Sequence, residues 1–582
     1  MFHLKYLNKF LWKHRSLLII GAFFILISNI FALYPAEFVR KALDSAVENI
    51  STNQNRNAKL ILLKYSSLII IFSIIKGIFM YFMRQTIIVM SRRIEYDLKN
   101  EIYKKYQILS VAFYKKNKAG DLMNRISEDV TRVRMYLGPA LMYTINISIL
   151  FYLVLTKMFS INAHLTYYVL IPLPILAISV YFVSKNINIR SEKTLEELSR
   201  LTTISQETYS GIKIIKSFNN EMNLFSKFVK HCKKYTNKQL YLVKIEAFFF
   251  PLIITLIGTS TILTIYIGGL EVIEGNLSSG NIAEFIIYVN MLSWPVASVG
   301  WITSIIQRAA ASQKRINEFL QTDNEIKNYT NKSENISGNI QFENVTLKYQ
   351  NTNITAIKNI NFIINEKEHI GIFGKTGSGK STIINLICRL YDPTEGKIYI
   401  GNENIKKLNL YNLRKTIGYI PQDDYLFSGS IKENITFSSD NFNEENLLES
   451  TYNAELQEDI NNFNNKFNTI IGERGVQLSG GQKQRLAIAR TFYKKPDIFI
   501  FDDCLSAVDA KKEHKIINKL KIACKEKTCI IVSHRIESLK NLDKIYVIDN
   551  SKMIESGNHE QLLKKRGLYY KMFLIQKKKK FD

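Results

Sequence analysis

Hydrophobic stretches are unevenly spread along the chain, and their spacing divides it in two. Before about residue 310, apolar runs of membrane-spanning length recur at residues 16–34, 60–82, 136–156, 165–183, 247–268 and 282–306. Each approaches the roughly 20 helical residues that cross a hydrocarbon core, so they predict six spans. Residues 84–134 and 185–246, between spans two and three and between four and five, are charged but periodic, with few Gly or Pro. That pattern predicts membrane helices that continue well into the cytoplasm and turn back at short elbows. The link after span three is very short and carries Lys157; the one after span five, 269–281, holds Glu271 and Glu274 without Lys or Arg. Beyond 306 the pattern changes. Residues 317–339 are polar and predict a linker, and from Ile340 short apolar runs alternate with amphipathic ones. Expected domains are therefore a membrane domain over 1–316 and a soluble α/β domain over 340–582.

Charge fixes the expected orientation. Residues 1–15 carry Lys5, Lys9, Lys13 and Arg15 and no acid, and both long loops are basic. By the positive-inside rule the N-terminus, the C-terminus and the long loops are cytoplasmic. The first apolar run is too long for a signal peptide and lacks a small-residue cleavage site, so it is expected to stay as a span. A net charge of +27 raises nucleic acid as a partner. A Lys-, Asn- and Ile-rich composition with cytoplasmic basic loops explains it better, and no nucleic-acid binding is expected. The five cysteines show no metal-ligand spacing and none falls in a segment placed outside the cell, which suits reduced thiols. Within the spans, Lys64, Lys76, Asn290, Trp294 and Gln307 (just past the last run) are the polar or amphipathic candidates for touching cargo. A lysine in hydrocarbon is costly, but Lys64 can snorkel and Lys76 can face a water-filled cavity.

The chemistry is concentrated in the soluble half. Gly374-Lys-Thr-Gly-Ser-Gly-Lys-Ser381 lies between an apolar strand-like run, 369–373, and an amphipathic helix-like one, 382–390. A glycine-rich loop from strand to helix turns successive backbone N–H groups inward at the positive end of a helix dipole, a cradle for phosphate. Lys380 can reach the β- and γ-phosphates and the Ser381 hydroxyl can ligand Mg²⁺. Downstream, Ile498–Phe501 predicts a strand ending in Asp502 and Asp503, Cys529–Ser533 one ending in His534, and Ile417–Ile420 one ending near Gln422. Asp502 can hold Mg²⁺ and Asp503 can polarise a water. Polar groups at strand C-termini are where an open α/β sheet places its ligand.

Together these residues resemble the ABC transporters, in the half-transporter arrangement of type IV exporters, over nearly the whole chain. Gly374, Lys375, Thr376, Gly377, Ser378, Gly379, Lys380 and Ser381, with Thr382 after them, look like the Walker A motif. Leu478-Ser-Gly-Gly-Gln482 matches the family signature letter for letter, although such a Gly-Gly pair can also simply start a helix. Gln422 resembles the glutamine placed near Mg²⁺, His534 the switch histidine, and Tyr349 the aromatic that stacks on adenine. Ser506–Asp509 and Gly472–Gly475 resemble two further loops, and Gly120–Arg125 and Gly211–Ser217 the coupling-helix regions. The resemblance implies an α-helical six-span transmembrane domain with long cytoplasmic helix extensions, joined to an α/β P-loop nucleotide-binding domain with a helical subdomain.

It also implies an ATPase that uses ATP and Mg²⁺ in a bacterial plasma (inner) membrane, with the nucleotide-binding domain cytoplasmic. Ser479, Gly480, Gly481 and Gln482 of one chain would close on nucleotide held by another, so a homodimer or heterodimer follows. The expected cargo is a lipid or an amphipathic compound, moved by alternating access. Two departures stand out. Asp503 occupies a position where the family usually has Glu, and Cys504 one where Ala is usual. The shorter carboxylate leaves open a weakly hydrolysing regulatory half of a heterodimer, and the sequence leaves import open against export.

Overall fold

The computed structural model describes residues 2–51, 55–330, 336–350, 352–422, 424–439, 441–472, 475, 478–504 and 510–578. Ser506–Asp509 and the pair Glu473–Arg474 lie outside these residues. Two compact units emerge: Met1–Gln107 with Ala119–Thr322, and Ile108–Lys118 with Asp323–Asp582.

The first unit is built on six helices long and apolar enough to cross a membrane: Arg15–Asn49, Lys59–Ile108, Ala119–Ile161, Ala163–Ser210, Glu221–Ile273 and Ser279–Leu320. The shortest has 35 residues, roughly 50 Å at about 1.5 Å per residue, so every helix outruns a hydrocarbon core of about 30 Å. Their limits follow from local chemistry. Asn162, with extended φ and ψ of −156° and 114°, ends the third helix, and its side chain caps the fourth by accepting from the Leu165 amide at 2.9 Å. The link between them is thus at Asn162; Lys157 lies within the third helix. Ser278 and Asn281 form a reciprocal capping box that starts the sixth.

Leu150, Val154, Leu165, Leu176, Phe285 and Leu292 form part of this unit's buried core. Around it lie charges that the hydrophobic pattern hides. Glu284 is 2% exposed; it takes a hydrogen bond from the Tyr288 hydroxyl at 2.8 Å and faces the Arg40 guanidinium at 3.3 Å. Asp44 accepts from the Gly280 amide and the Ser278 hydroxyl, both at 2.9 Å. These contacts tie the first helix to the sixth. Lys64 and Lys76, by contrast, are exposed on the second helix, beside exposed Ile70, Ile74 and Ile78.

The elbows are short helices, Val111–Lys116 and Ile212–Ser217. The second falls within the expected Gly211–Ser217. The first does not coincide with Gly120–Arg125, which lies in the helical stretch that follows. Asn117 adopts extended φ and ψ of −108° and 138° and stops the elbow, and the next helix starts at Ala119.

In the second unit a six-stranded sheet has the order Lys552–Gly557, Lys544–Asp549, His369–Gly374, Thr528–Ser533, Ile498–Asp502, Ile417–Ile420. All neighbours are parallel except the first pair. The central strands are near-continuous Ile, Val and Phe, as burial on both faces demands. A second, antiparallel sheet contains Thr355–Ile364, Ile340–Lys348, Glu395–Ile400 and Glu403–Asn404. Short helices Glu444–Asn453 and Gln457–Asn461 pack with Gly480–Lys494 as a helical subdomain.

Candidate active site

Register brings the polar strand ends together. Ser533 pairs with Phe373, Val532 with Asp502, and Ile420 with Phe501, so Gly374, His534, Asp502 and the segment leading to Gln422 emerge along one edge of four adjacent parallel strands. Between Gly374 and the helix Lys380–Ile387 the loop bends through left-handed glycines, Gly377 at φ 81° and Gly379 at φ 107°. A Cβ on Gly379 would sit 2.4 Å from the Ala356 carbonyl oxygen, so only glycine fits there.

Lys380 folds back over the loop and donates to the carbonyls of Gly374 and Lys375, each at 2.8 Å. Burial lowers its pKa from the ordinary lysine value, while Asp503 and Asp502 pull it up again. Ser381 donates to Asp502 at 3.2 Å. Asp502 is 3% exposed, and burial raises its carboxyl above the usual range against the opposing Ser381 hydrogen bond. A hydroxyl and a buried carboxylate in contact are hard oxygen donors, and that pair fits Mg²⁺. Gln422 is exposed two residues beyond the strand Ile417–Ile420. Thr382, buried, is 3.2 Å from the Tyr349 hydroxyl. Ser378 is buried and its hydroxyl has no hydrogen-bond partner among the described residues, and Lys375, Thr376 and Gly377 are exposed at the loop's lip.

Asp503 sits just past its strand at φ 47°, a left-handed conformation that Asp tolerates better than most side chains. Its amide donates to the Val532 carbonyl at 2.9 Å, and its Oδ2 lies 2.8 Å from His534 Nδ1. The carboxylate and the imidazole are therefore held as a pair at the mouth of the cradle. Cys504 is buried, and burial pushes its thiol well above the ordinary value, so it packs as a small apolar residue.

The signature segment is organised separately. Ser479 caps the helix Gly480–Lys494 in a capping box with Gln482, so the Gly-Gly pair does begin a helix. Gln482 donates to Asp459 Oδ1 at 3.0 Å, and Arg485 donates to its other oxygen at 2.8 Å. Ser479 and Gly480 remain exposed. Among the described residues, no hydrogen bond joins Ser479, Gly480, Gly481 or Gln482 to the phosphate loop. Asp459 escaped the reading of the sequence because an isolated aspartate in an Asn-rich stretch carries no pattern. Arg40 and Glu284 escaped it because single charges near a span's end are ordinary; their burial is a property of packing.

Comparison with other proteins decides the family. Residues 18–296 match the ABC transporter transmembrane region, and residues 357–506 match the ABC transporter domain. The chain is 34% identical to the multidrug resistance-like ATP-binding protein MdlA of Buchnera aphidicola, over 96% of each chain. It belongs to the ABC transporters. It is also 35% identical to an uncharacterised ABC transporter ATP-binding protein, YknU, of Bacillus subtilis, over 83% of each. The structure of a bacterial Atm1-family ABC exporter with ATP bound superposes with a TM-score of 0.80 at 21% identity, covering 97% of this chain and 98% of that one. The ABC transporter is thus a six-span half-transporter of exporter fold, a multi-pass integral membrane protein whose soluble domain is a transport ATPase. Its bacterial relatives point to the plasma membrane.

Proposed function

We propose that this chain is one half of a dimeric exporter or flippase that uses ATP and Mg²⁺ to move a lipid or amphipathic compound by alternating access. The observation that carries the catalytic part is the Asp503–His534 pair at 2.8 Å beside the Ser381–Asp502 pair at 3.2 Å. In this reading the amides of Gly374 to Thr382 cradle the phosphates, Lys380 leaves its carbonyl partners for the β- and γ-phosphate oxygens, and Tyr349 stacks on the base. Ser381, Asp502 and Gln422 hold Mg²⁺, which neutralises charge on the phosphates when bound. Asp503 orients the attacking water, and His534 holds that carboxylate and faces the γ-phosphate. Ser479, Gly480, Gly481 and Gln482 of a second copy, or of a related half, close the site from the other side. ATP favours the closed soluble dimer and hydrolysis releases it, a population shift that the elbows pass to the spans.

Support for an amphipathic cargo is the aromatic cluster of Tyr143, Trp294 and Trp301, with ring centroids 5.2 and 5.7 Å from Tyr143 and both tryptophans about half exposed. A multidrug name on a relative agrees with such cargo. The test is reconstitution of the full chain in inverted vesicles with fluorescent lipids and amphipathic cations. ATP-dependent accumulation inside, lost in Lys380→Ala, is the expected result; efflux instead would mean import, and movement of neither probe would remove the cargo class.

A second reading is favoured by the short side chain of Asp503: an ATP-binding half whose partner does most of the hydrolysis. Robust turnover by the isolated chain, abolished by Asp503→Asn, would exclude it.

A further inference from the structure

A cavity of ≈ 750 Å³ opens in the second unit beside Tyr349. Its wall is made by the adenine-stacking candidate Tyr349, by Tyr391 and Thr394, by Glu325, and by Ala112 and Lys115 of the first elbow. That volume is ample for a nucleoside, given that small-ligand pockets span about 300–1,000 Å³.

Three observations give the cavity a chemical character. Tyr349 and Tyr391 meet edge to face, centroids 5.2 Å apart at 82°. The Lys115 ammonium stands 5.6 Å from the centroid of each ring, so one cation is shared between two π faces. Tyr391 is 8% exposed, yet among the described residues its hydroxyl makes no hydrogen bond of ordinary geometry. Burial pushes this phenol up, and the neighbouring Lys115 ammonium pulls it the other way. Tyr349 in the cavity wall also reaches the phosphate-loop helix, its hydroxyl 3.2 Å from Thr382 in the first turn after the cradle. Ala112 anchors the elbow by packing against the core of the two sheets.

We propose that the base of the bound nucleotide is recognised here by Tyr349 together with Lys115 of the elbow and the Tyr391 hydroxyl, and that Lys115 selects purine over cytosine. The inference rests on the reading of Tyr349 as the base-stacking residue. Its physical basis is donor chemistry. A purine offers N7 as an acceptor on the edge where cytosine offers an amino donor, and an ammonium is a donor only. Stacking on Tyr349 tolerates any base, so discrimination must come from the groups at the ring's edge. Because Lys115 belongs to the segment joining the second and third long helices, the base itself touches the element that reports nucleotide to the spans.

The experiment measures kcat/KM for ATP and CTP with the purified full-length protein in lipid nanodiscs. Lys115→Met should lower the ATP:CTP ratio about five- to tenfold, chiefly through KM for ATP; Lys115→Arg, which keeps a cation over the rings, should restore most of it. Tyr391→Phe should lower the ratio about two- to threefold. Lys116→Met, one residue along the same elbow, is the control and should leave it unchanged. Equilibrium competition of ATP and CTP for a fluorescent ATP analogue reads the same ratio on any variant too inactive to assay. An unchanged ratio in Lys115→Met, while Tyr349→Leu weakens ATP and CTP alike, would overturn the role of Lys115 and keep the stacking site. Unchanged binding of both ATP and CTP in Tyr349→Leu would remove the base site from Tyr349 altogether.

Discussion

The phosphate loop and the signature segment are parts of one soluble unit, yet they are finished to different degrees. Around the loop the side chains already engage one another: Lys380 with two carbonyls, Ser381 with Asp502, Asp503 with His534, Thr382 with Tyr349. At the signature segment the hydrogen bonds run backwards into the protein, from Gln482 and Arg485 to Asp459, and leave Ser479 and Gly480 exposed at a helix N-terminus. One face is the proposed reaction centre. The other is a capped helix N-terminus with outward donors, which in the proposed dimer would close on nucleotide held by a second chain.

The strongest break in this comparison is Lys380→Ala. Loss of a charge placed on the transferring phosphoryl group should lower ATP turnover about 10²–10³-fold. Ser479→Arg should lower it about as far, by steric and charge blockade of the donor face, but leave ATP binding on the same chain's loop intact by equilibrium titration. Mixing the two dead variants makes the comparison decisive. In a mixed dimer one composite site carries both lesions and the other carries neither, so activity should return to roughly a quarter to a half of wild type. No recovery on co-expression, with mixed dimers verified by two affinity tags, would show that each chain completes its own site.

Asp503→Glu sharpens the comparison from the reaction-centre side. The added methylene shifts the carboxylate by about 1 Å, a displacement that can change rates about 10²-fold. If the short side chain limits hydrolysis, turnover of the isolated chain should rise about tenfold. A fall would mean that the left-handed backbone at Asp503, φ 47°, is matched to the shorter side chain.

What the sequence discloses follows the same division. The loop, the aspartates and His534 are legible because parallel strands deliver contiguous motifs to one sheet edge, so short-range pattern suffices. Asp459, Tyr391 and Lys115 are not, because each acts on a partner remote in sequence and has no signature of its own. Periodicity locates the membrane helices. It does not locate the first elbow within the charged run, and the resemblance points to Gly120–Arg125, past the short helix Val111–Lys116 that the extended backbone at Asn117 ends. Burial of Glu284 against Arg40 is invisible for a related reason: pattern reports composition along one helix, and this contact joins the first to the last.

The smallest predicted effect concerns Asp502, where stability and function oppose each other. Burial raises its carboxyl in the folded protein above the value it has when unfolded. The folded state therefore binds the proton more tightly. Below the unfolded pKa both states are protonated and no penalty exists; as pH rises through the two values the ionised, buried group costs stability, and at neutral pH the cost is complete. Asp502→Asn removes that charge and keeps an acceptor for Ser381. Without nucleotide, amide exchange in the strand Ile498–Asp502 should slow in the variant at pH 7. The difference from wild type should vanish as the pH falls below the ordinary carboxylate range. With Mg²⁺ and ATP the order should invert, because wild type gains protection from ligand that the variant holds poorly. A variant less protected at neutral pH without nucleotide would mean that the Ser381 hydrogen bond outweighs burial, and that the carboxylate is held for the fold as much as for the phosphate.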